Sequence, residues 1–155
     1  MNTELLDKYV LNVLKNHGWS EGRKRDITYW IRVLSKEGYI VNDYAQSVLE
    51  ELGDIQMNTR GDQRHSGVQL HFNPVNAASG EYDRMEIFNA AAKEELFPIG
   101  EYLYLTVYVG ASKKVYLGDQ MDLSIAGNSI EDFLNRIFAP NAYFQEIYTN
   151  EEGPW

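Results

Sequence analysis

Histidines and carboxylates are the side chains of this sequence whose chemistry could support catalysis, since cysteine is absent. The three histidines are His17, His65 and His71, and no two of them have the spacing that shares one face of a helix. The sequence therefore predicts no metal site. His65 and His71 flank a loop-to-strand boundary and could meet in space, which leaves open a two-histidine acid/base pair of the kind that some ribonucleases use.

Other catalytic patterns do not occur in the sequence. It has neither the G-x-S-x-G turn of serine hydrolases nor a glycine-rich phosphate-binding motif. Acidic pairs such as Glu131 with Asp132 fall at turns and helix starts, where carboxylates commonly cap backbone amides or face solvent. The sequence therefore predicts no catalytic centre and no cofactor, and a binding function is expected.

Length and composition predict one folded domain in a reducing compartment. The chain has 155 residues, 44% of them hydrophobic, which suits a single domain with its own core. The absence of cysteine fits the cytoplasm. The first residues do not resemble a signal peptide, and no apolar run approaches the roughly 20 residues that span a bilayer. We therefore expect a cytoplasmic protein that does not bind membranes.

The charge of the chain is negative and unevenly distributed. The formal net charge is −9. Residues 1–40 carry seven Lys/Arg against five Asp/Glu, residues 41–100 carry four against ten, and residues 101–155 carry three against eight. An acidic surface repels nucleic acid and favours a basic protein partner.

Apolar residues at helical spacing predict helices, and a later alternating pattern predicts strands. The helices are expected near residues 3–16, 20–38 and 42–53, with one inserted helix at 81–96 and a last helix at 129–138. The strands are expected at residues 55–57, 68–72, 102–109, 115–117 and 121–125. The fold class is α+β, an antiparallel sheet of about five strands packed with N-terminal helices, one inserted helix and a C-terminal helix.

Two further expectations concern the strand at 102–109 and the end of the chain. One face of that strand is expected to pack under helices, which leaves an open face rich in tyrosine. Residues 1–140 are expected to form the domain. Residues 141–155 form an acidic, aromatic tail that either packs on the domain or binds a partner.

Several short motifs occur in an order typical of one protein family. Gly18-Trp19-Ser20-Glu21-Gly22-Arg23 matches G-W-x-x-G-R, Phe72-Asn73-Pro74 matches a strand end F-x-P, and Leu96-Phe97-Pro98-Ile99-Gly100-Glu101 matches L-x-P-I-G-E. Over about residues 5–138 the chain resembles the third branch of the SUKH superfamily of bacterial immunity proteins. It departs at the F-G-G motif, where Leu52 and Asp54 replace the Phe and the second Gly.

The resemblance implies a role without catalysis. Such proteins are encoded beside secreted polymorphic toxins, often nucleases, and they bind the toxin domain in the cytoplasm and block it. The same superfamily includes adaptor-like regulators, so a regulatory scaffold is the alternative function. The toxin, the role of the tail and the oligomeric state are left open.

The partner is expected to contact an acidic rim beside the strand meander. Opposite charge accelerates association with a basic partner, and tyrosine is a frequent interface anchor. The predicted binding residues are the acids Glu101, Asp119 and Asp122 and the tyrosines Tyr102, Tyr104 and Tyr108.

Overall fold

The computed structural model describes residues 1–60, 67–140 and 142–152, with Arg60 described by its backbone alone. This part of the chain contains six α-helices and seven strands, with 3-10 helices at Thr3–Leu5 and Tyr82–Arg84. The α-helices are α1 (Lys8–Asn16), α2 (Thr28–Glu37), α3 (Asp43–Leu52), α4 (Pro74–Ala78), α5 (Met85–Ala92) and α6 (Ile130–Phe138). The strands are β1 (Gln56–Arg60), β2 (Gly67–His71), β3 (Phe97–Tyr102), β4 (Leu105–Val109), β5 (Val115–Gly118), β6 (Asp122–Gly127) and β7 (Gln145–Thr149).

The strands form one antiparallel sheet in which each strand pairs with its neighbours along the chain. This arrangement confirms the α+β fold class and the meander. The described sheet has seven strands, however, and not about five. One additional strand, β3, begins where the inserted helix was expected to end, and β7 lies in the segment expected to be a tail, where it pairs with β6.

The strand expected at residues 102–109 is wrong in its boundaries, because a turn at Leu103 and Tyr104 separates β3 from β4. Tyr102 is instead the cross-strand partner of Leu105, so these two residues share a face of the sheet. Leu103 adopts a φ of 56°, left-handed backbone that a non-glycine residue rarely takes. No local pattern predicts this turn, since the segment has high β propensity and no turn-forming residue.

Helix boundaries follow their capping residues. Ser129 accepts a hydrogen bond from the backbone N–H of Asp132 at 3.1 Å and starts α6, as its position predicts. Asn42 caps α3 by accepting a hydrogen bond from the Ala45 backbone N–H at 2.8 Å. The inserted helix is shorter than expected, because α5 ends at Ala92 and the following Lys93 has a φ of 61°.

Helices cover both faces of the sheet at its centre. On one face, the ring of Phe133 in α6 meets Tyr102 edge to face, with centroids 6.0 Å apart. On the other face, Phe88 in α5 meets Tyr108 edge to face at the same separation of 6.0 Å. Tyr108 is fully buried. The expected open tyrosine face is therefore wrong at this position, because α5 places an aromatic ring over it.

The motif residues on which the family resemblance rests make contacts that hold the fold together. The Arg23 guanidinium donates to the carbonyl oxygens of Glu51 at 2.7 Å and Gly53 at 2.6 Å, and so binds carbonyls that end α3. The indole N–H of Trp19 donates to the Glu51 carboxylate at 3.3 Å. A Cβ on Gly100 would lie 1.9 Å from the carbonyl oxygen of His71, so only glycine permits this approach of β3 to β2.

Candidate partner-binding site

A cleft of about 340 Å³ opens at one end of the central strands, where two strand turns and a 3-10 helix meet. The β3–β4 turn, the β5–β6 turn and the 3-10 helix before α5 each contribute side chains. We call this feature the acidic cleft and define it by six of the residues that line it, Glu81, Arg84, Glu101, Tyr104, Thr106 and Asp119. Three carboxylates face one guanidinium there, so the cleft is net negative.

Glu101 is held by a histidine on the neighbouring strand. The His71 Nδ1 atom accepts a hydrogen bond from the Asn73 backbone N–H at 3.2 Å. Since Nδ1 acts as the acceptor, the proton of the neutral ring lies on Nε2. That Nε2–H donates to the Glu101 carboxylate at 3.1 Å. The carboxylate is therefore oriented before any partner arrives.

Asp119 is fixed by the turn that contains it. One carboxylate oxygen accepts the backbone N–H groups of Met121 at 2.7 Å and Asp122 at 2.8 Å. The backbone N–H of Asp119 also donates to the Asp122 carbonyl oxygen at 3.1 Å. The second carboxylate oxygen has no hydrogen bond among the described residues, so it remains able to accept one from a partner.

The β3–β4 turn carries the most exposed aromatic side chain of the cleft. Tyr104 is 90% exposed and its neighbour Leu103 is 45% exposed. The backbone N–H of Leu103 donates to the Gln69 carbonyl oxygen at 2.9 Å, which ties the turn to β2. The left-handed Leu103 backbone thus presents two large side chains on a turn with a fixed position.

Arg84 forms part of the inner wall of the cleft. The residue is 6% exposed, and its Nη1 atom lies 3.3 Å from the Glu81 carboxylate. Burial raises the pKa of Tyr108, and the nearby Arg84 guanidinium partly offsets that rise. Sequence reasoning missed both Glu81 and Arg84. Acids at the start of a helix need no function because the helix dipole favours them there, and nothing in the sequence indicates that the arginine is buried.

The structure brings three of the six predicted binding residues together in the cleft, namely Glu101, Tyr104 and Asp119. Tyr102 instead faces α6, and its burial there raises its pKa. Tyr108 lies beneath α5. Asp122 accepts a hydrogen bond from the Thr149 hydroxyl and so links β6 to β7.

A larger cavity of about 690 Å³ lies between α3 and the start of α6. Several of its polar groups are engaged within the chain. The Tyr44 hydroxyl accepts the Ile130 backbone N–H at 2.8 Å, and burial raises the pKa of Tyr44 to about 12. The Glu131 carboxylate accepts the Asn2 backbone N–H at 2.9 Å. These groups are less available to a partner than the free Asp119 oxygen in the acidic cleft.

We searched the described residues for groups of side chains that could bind a metal ion and for helices that could span a membrane. Within residues 1–60, 67–140 and 142–152, no group of three or more His, Cys, Asp or Glu side chains could hold a metal ion. None of the helices described there is both long and apolar enough to cross a bilayer. His65, one member of the alternative catalytic pair, lies outside the described residues, whereas His71 is engaged with Glu101.

Comparison with known proteins identifies one family. A family model described as SUKH-3 immunity protein matches residues 6–139. This range includes all six α-helices named above and every residue of the acidic cleft. No curated protein and no solved structure matches the chain.

Proposed function

Since this chain belongs to the SUKH-3 immunity protein family, we propose that it binds a cognate toxin domain through the acidic cleft and thereby neutralises the toxin. The observation that carries the proposal is the family match over residues 6–139. The family is one of immunity proteins and not of enzymes. The cleft supplies the contact surface, and the cytoplasm is the compartment in which the producing cell meets the active toxin.

The charge of the protein supports a basic toxin, and a nuclease in particular. A nuclease must hold phosphate, so its active cleft carries Lys and Arg. The present chain has a net charge of −9, and three carboxylates line the acidic cleft. Opposite fields increase the rate of encounter by about 10- to 1,000-fold at low salt. A high rate of encounter is an advantage for a protein that must capture a toxin before the toxin cuts nucleic acid.

The shape of the site supports occlusion of the toxin's active cleft. Tyr104 projects from the turn, while Glu101 and Asp119 lie behind it with orientations fixed by His71 and by the β5–β6 turn. A projecting aromatic residue fits a concave partner surface, and preorganised carboxylates lose little entropy on binding. In the proposed complex Tyr104 enters the toxin's cleft and the acids pair with its basic residues.

Calorimetry with the toxin domain encoded by the neighbouring gene tests this function. We expect stoichiometric binding that weakens by at least tenfold between about 50 and 300 mM salt, because several charge pairs form at the interface. Co-expression should also restore growth to cells that make the toxin. No binding to a folded, active toxin domain would refute the proposal. Tight binding that does not change with salt would refute the electrostatic part alone.

A further inference from the structure

One face of the sheet is open beside the acidic cleft. A row of cross-strand partners shares this face and crosses from β1 to β4 through Gln56, His71, Glu101 and Thr106. Thr106 is 5% exposed, because α4 lies over it and the carbonyl oxygen of Ala77 accepts its hydroxyl at 3.3 Å. Gln56 is exposed, and His71 and Glu101 are partly exposed. The cover that α4 gives to this face therefore ends between Thr106 and Glu101.

A second row lies beside the first and leads to the β3–β4 turn. Asn58 and Gln69 are cross-strand partners, and the backbone N–H of Leu103 donates to the Gln69 carbonyl oxygen. The two rows surround a shallow depression of about 140 Å³. We call this surface the open face and define it by six residues that line the depression, Gln56, Asn58, Gln69, His71, Glu101 and Leu103. Glu101 also lines the acidic cleft, so the open face and the cleft are adjacent parts of one surface.

The open face presents three carboxamide side chains to a partner. Gln56, Asn58 and Gln69 are exposed, and their side chains make no hydrogen bond with another described residue. A carboxamide both donates and accepts, which suits the N–H and C=O groups of another protein's main chain. The opposite side of the same strands belongs to the core, where Met57 and Leu70 are buried.

The acidic cleft by itself is too small to form a stable interface. Stable complexes bury about 800 Å² on each partner, from about 20–30 residues, whereas ten residues line the cleft. A toxin that binds in the cleft must therefore cover neighbouring surface as well. Leu103 and Tyr104 stand between the cleft and the open face and are 45% and 90% exposed, and exposed apolar surface of this kind is what interfaces bury. The open face is thus the adjoining surface that continues from these two side chains.

We propose that the toxin domain covers the open face together with the acidic cleft, and that the three carboxamides of the open face bind main-chain N–H and C=O groups of the toxin. Leu103 and Tyr104 then lie between the two contacts. The occupant is a basic toxin and not a second copy of this chain, because two copies would each bring a net charge of −9 to the interface. This inference rests on the proposed function and specifies the surface and the chemical groups that recognise the toxin.

The carboxamide NH₂ signals report this contact directly. We would record nitrogen–proton spectra of the isotope-labelled protein, alone and saturated with unlabelled toxin domain, and assign each signal by its loss in a single alanine variant. The signals of Gln56, Asn58 and Gln69 are expected to shift and to exchange more slowly with water in the complex. The signal of Gln145, which is exposed on β7 at the other edge of the sheet, should not change. If the toxin binds and the three signals are unchanged, the inference is wrong and the proposed function stands. If the toxin does not bind, the proposed function fails first.

A pair of glutamine variants tests the same surface by affinity. Gln69→Arg places a long cationic side chain on the open face, so we expect binding of a basic toxin to weaken at least about tenfold. Gln145→Arg is the matched control, since it adds the same charge to an exposed glutamine of the same sheet, and we expect its Kd to stay within about threefold of wild type. An equal loss in both variants would assign the effect to net charge and overturn the placement of the toxin. Unchanged affinity in Gln69→Arg would overturn it as well.

Discussion

Truncation of Tyr104 gives the sharpest test of where the toxin binds. A tyrosine side chain buries roughly 150–250 Å² when it is covered, and Tyr104 is 90% exposed in the free protein. At about 25 cal/mol per Å², covering that surface contributes roughly 4 kcal/mol of binding free energy before the entropic costs of association are subtracted. Alanine retains part of the contact, and ordering the side chain costs about 1 kcal/mol. We therefore expect Tyr104→Ala to lose about 2 kcal/mol of binding free energy, or roughly 30-fold in Kd.

The free energy of unfolding should hardly respond to the same change. Tyr104 makes few contacts in the free protein, so we expect its truncation to alter stability by less than about 0.5 kcal/mol. Tyr143→Ala is the control, because Tyr143 is 75% exposed and does not line the acidic cleft. Calorimetric titration of the toxin domain into wild type and both variants gives the comparison. A loss below about threefold for Tyr104→Ala, or an equal loss for both tyrosines, would refute the assignment of the cleft.

The remaining predictions concern the interior. The Tyr108 hydroxyl is buried without a hydrogen-bond partner among the described residues. Tyr108→Phe should therefore raise the free energy of unfolding in urea by about 1 kcal/mol and leave toxin affinity unchanged. A destabilised variant would show that the hydroxyl is bonded. Gly100→Ala should lower the free energy of unfolding by at least about 3 kcal/mol in the same assay, because the added Cβ meets the His71 carbonyl oxygen and the strand backbone cannot move away. A change in stability below about 1 kcal/mol would contradict this. Burial favours a raised pKa for Glu94, but hydrogen bonds from Ser112 and Tyr116 and the charge of Lys114 outweigh it and lower the pKa. Glu94 therefore stabilises the fold above its unfolded-state pKa and ceases to do so as pH falls through its lower folded-state pKa. We expect Glu94→Gln to be less stable than wild type at about pH 7, with a difference in stability that closes as pH falls through the folded-state pKa of Glu94. A difference that is constant with pH would be inconsistent with this linkage.

Periodicity predicted the parts of the fold that local sequence determines. The apolar stripe of α2 and the Ser129 cap of α6 are set by residues within a few positions of each other. The division of residues 102–109 into a turn and β4 depends instead on pairing with β2 and β3. The amide of Leu103 bonds to Gln69, far away in sequence, and no local pattern encodes that contact.

The same limit applies to the candidate site. Charge and strand alternation placed Glu101, Tyr104 and Asp119 beside one strand meander, and the structure brings these three residues into one cleft. The reason differs for Tyr104, which lies on the β3–β4 turn and not within the predicted strand. The same patterns failed to find Arg84, because a charged residue at the start of a helix is ordinarily solvated. Its burial arises because the fold brings the 3-10 helix before α5 next to the β3–β4 and β5–β6 turns, which is a tertiary event.

The residues of the family motifs and the residues of the cleft have different places in the structure. Trp19 and Arg23 bind the end of α3, and Gly100 allows β3 to approach β2, so these motif residues support the fold. Tyr104 and Asp119 lie outside the motifs, on turns that the sheet holds in place. Turn residues can change without disturbing the core, and a change there alters the partner surface directly. Family membership therefore identifies the kind of activity, and we propose that the β3–β4 and β5–β6 turns encode recognition of one particular toxin. Glu101 belongs to both sets, because its carboxylate receives His71 from β2 and also lines the cleft, so its loss should weaken the strand contact and toxin binding together.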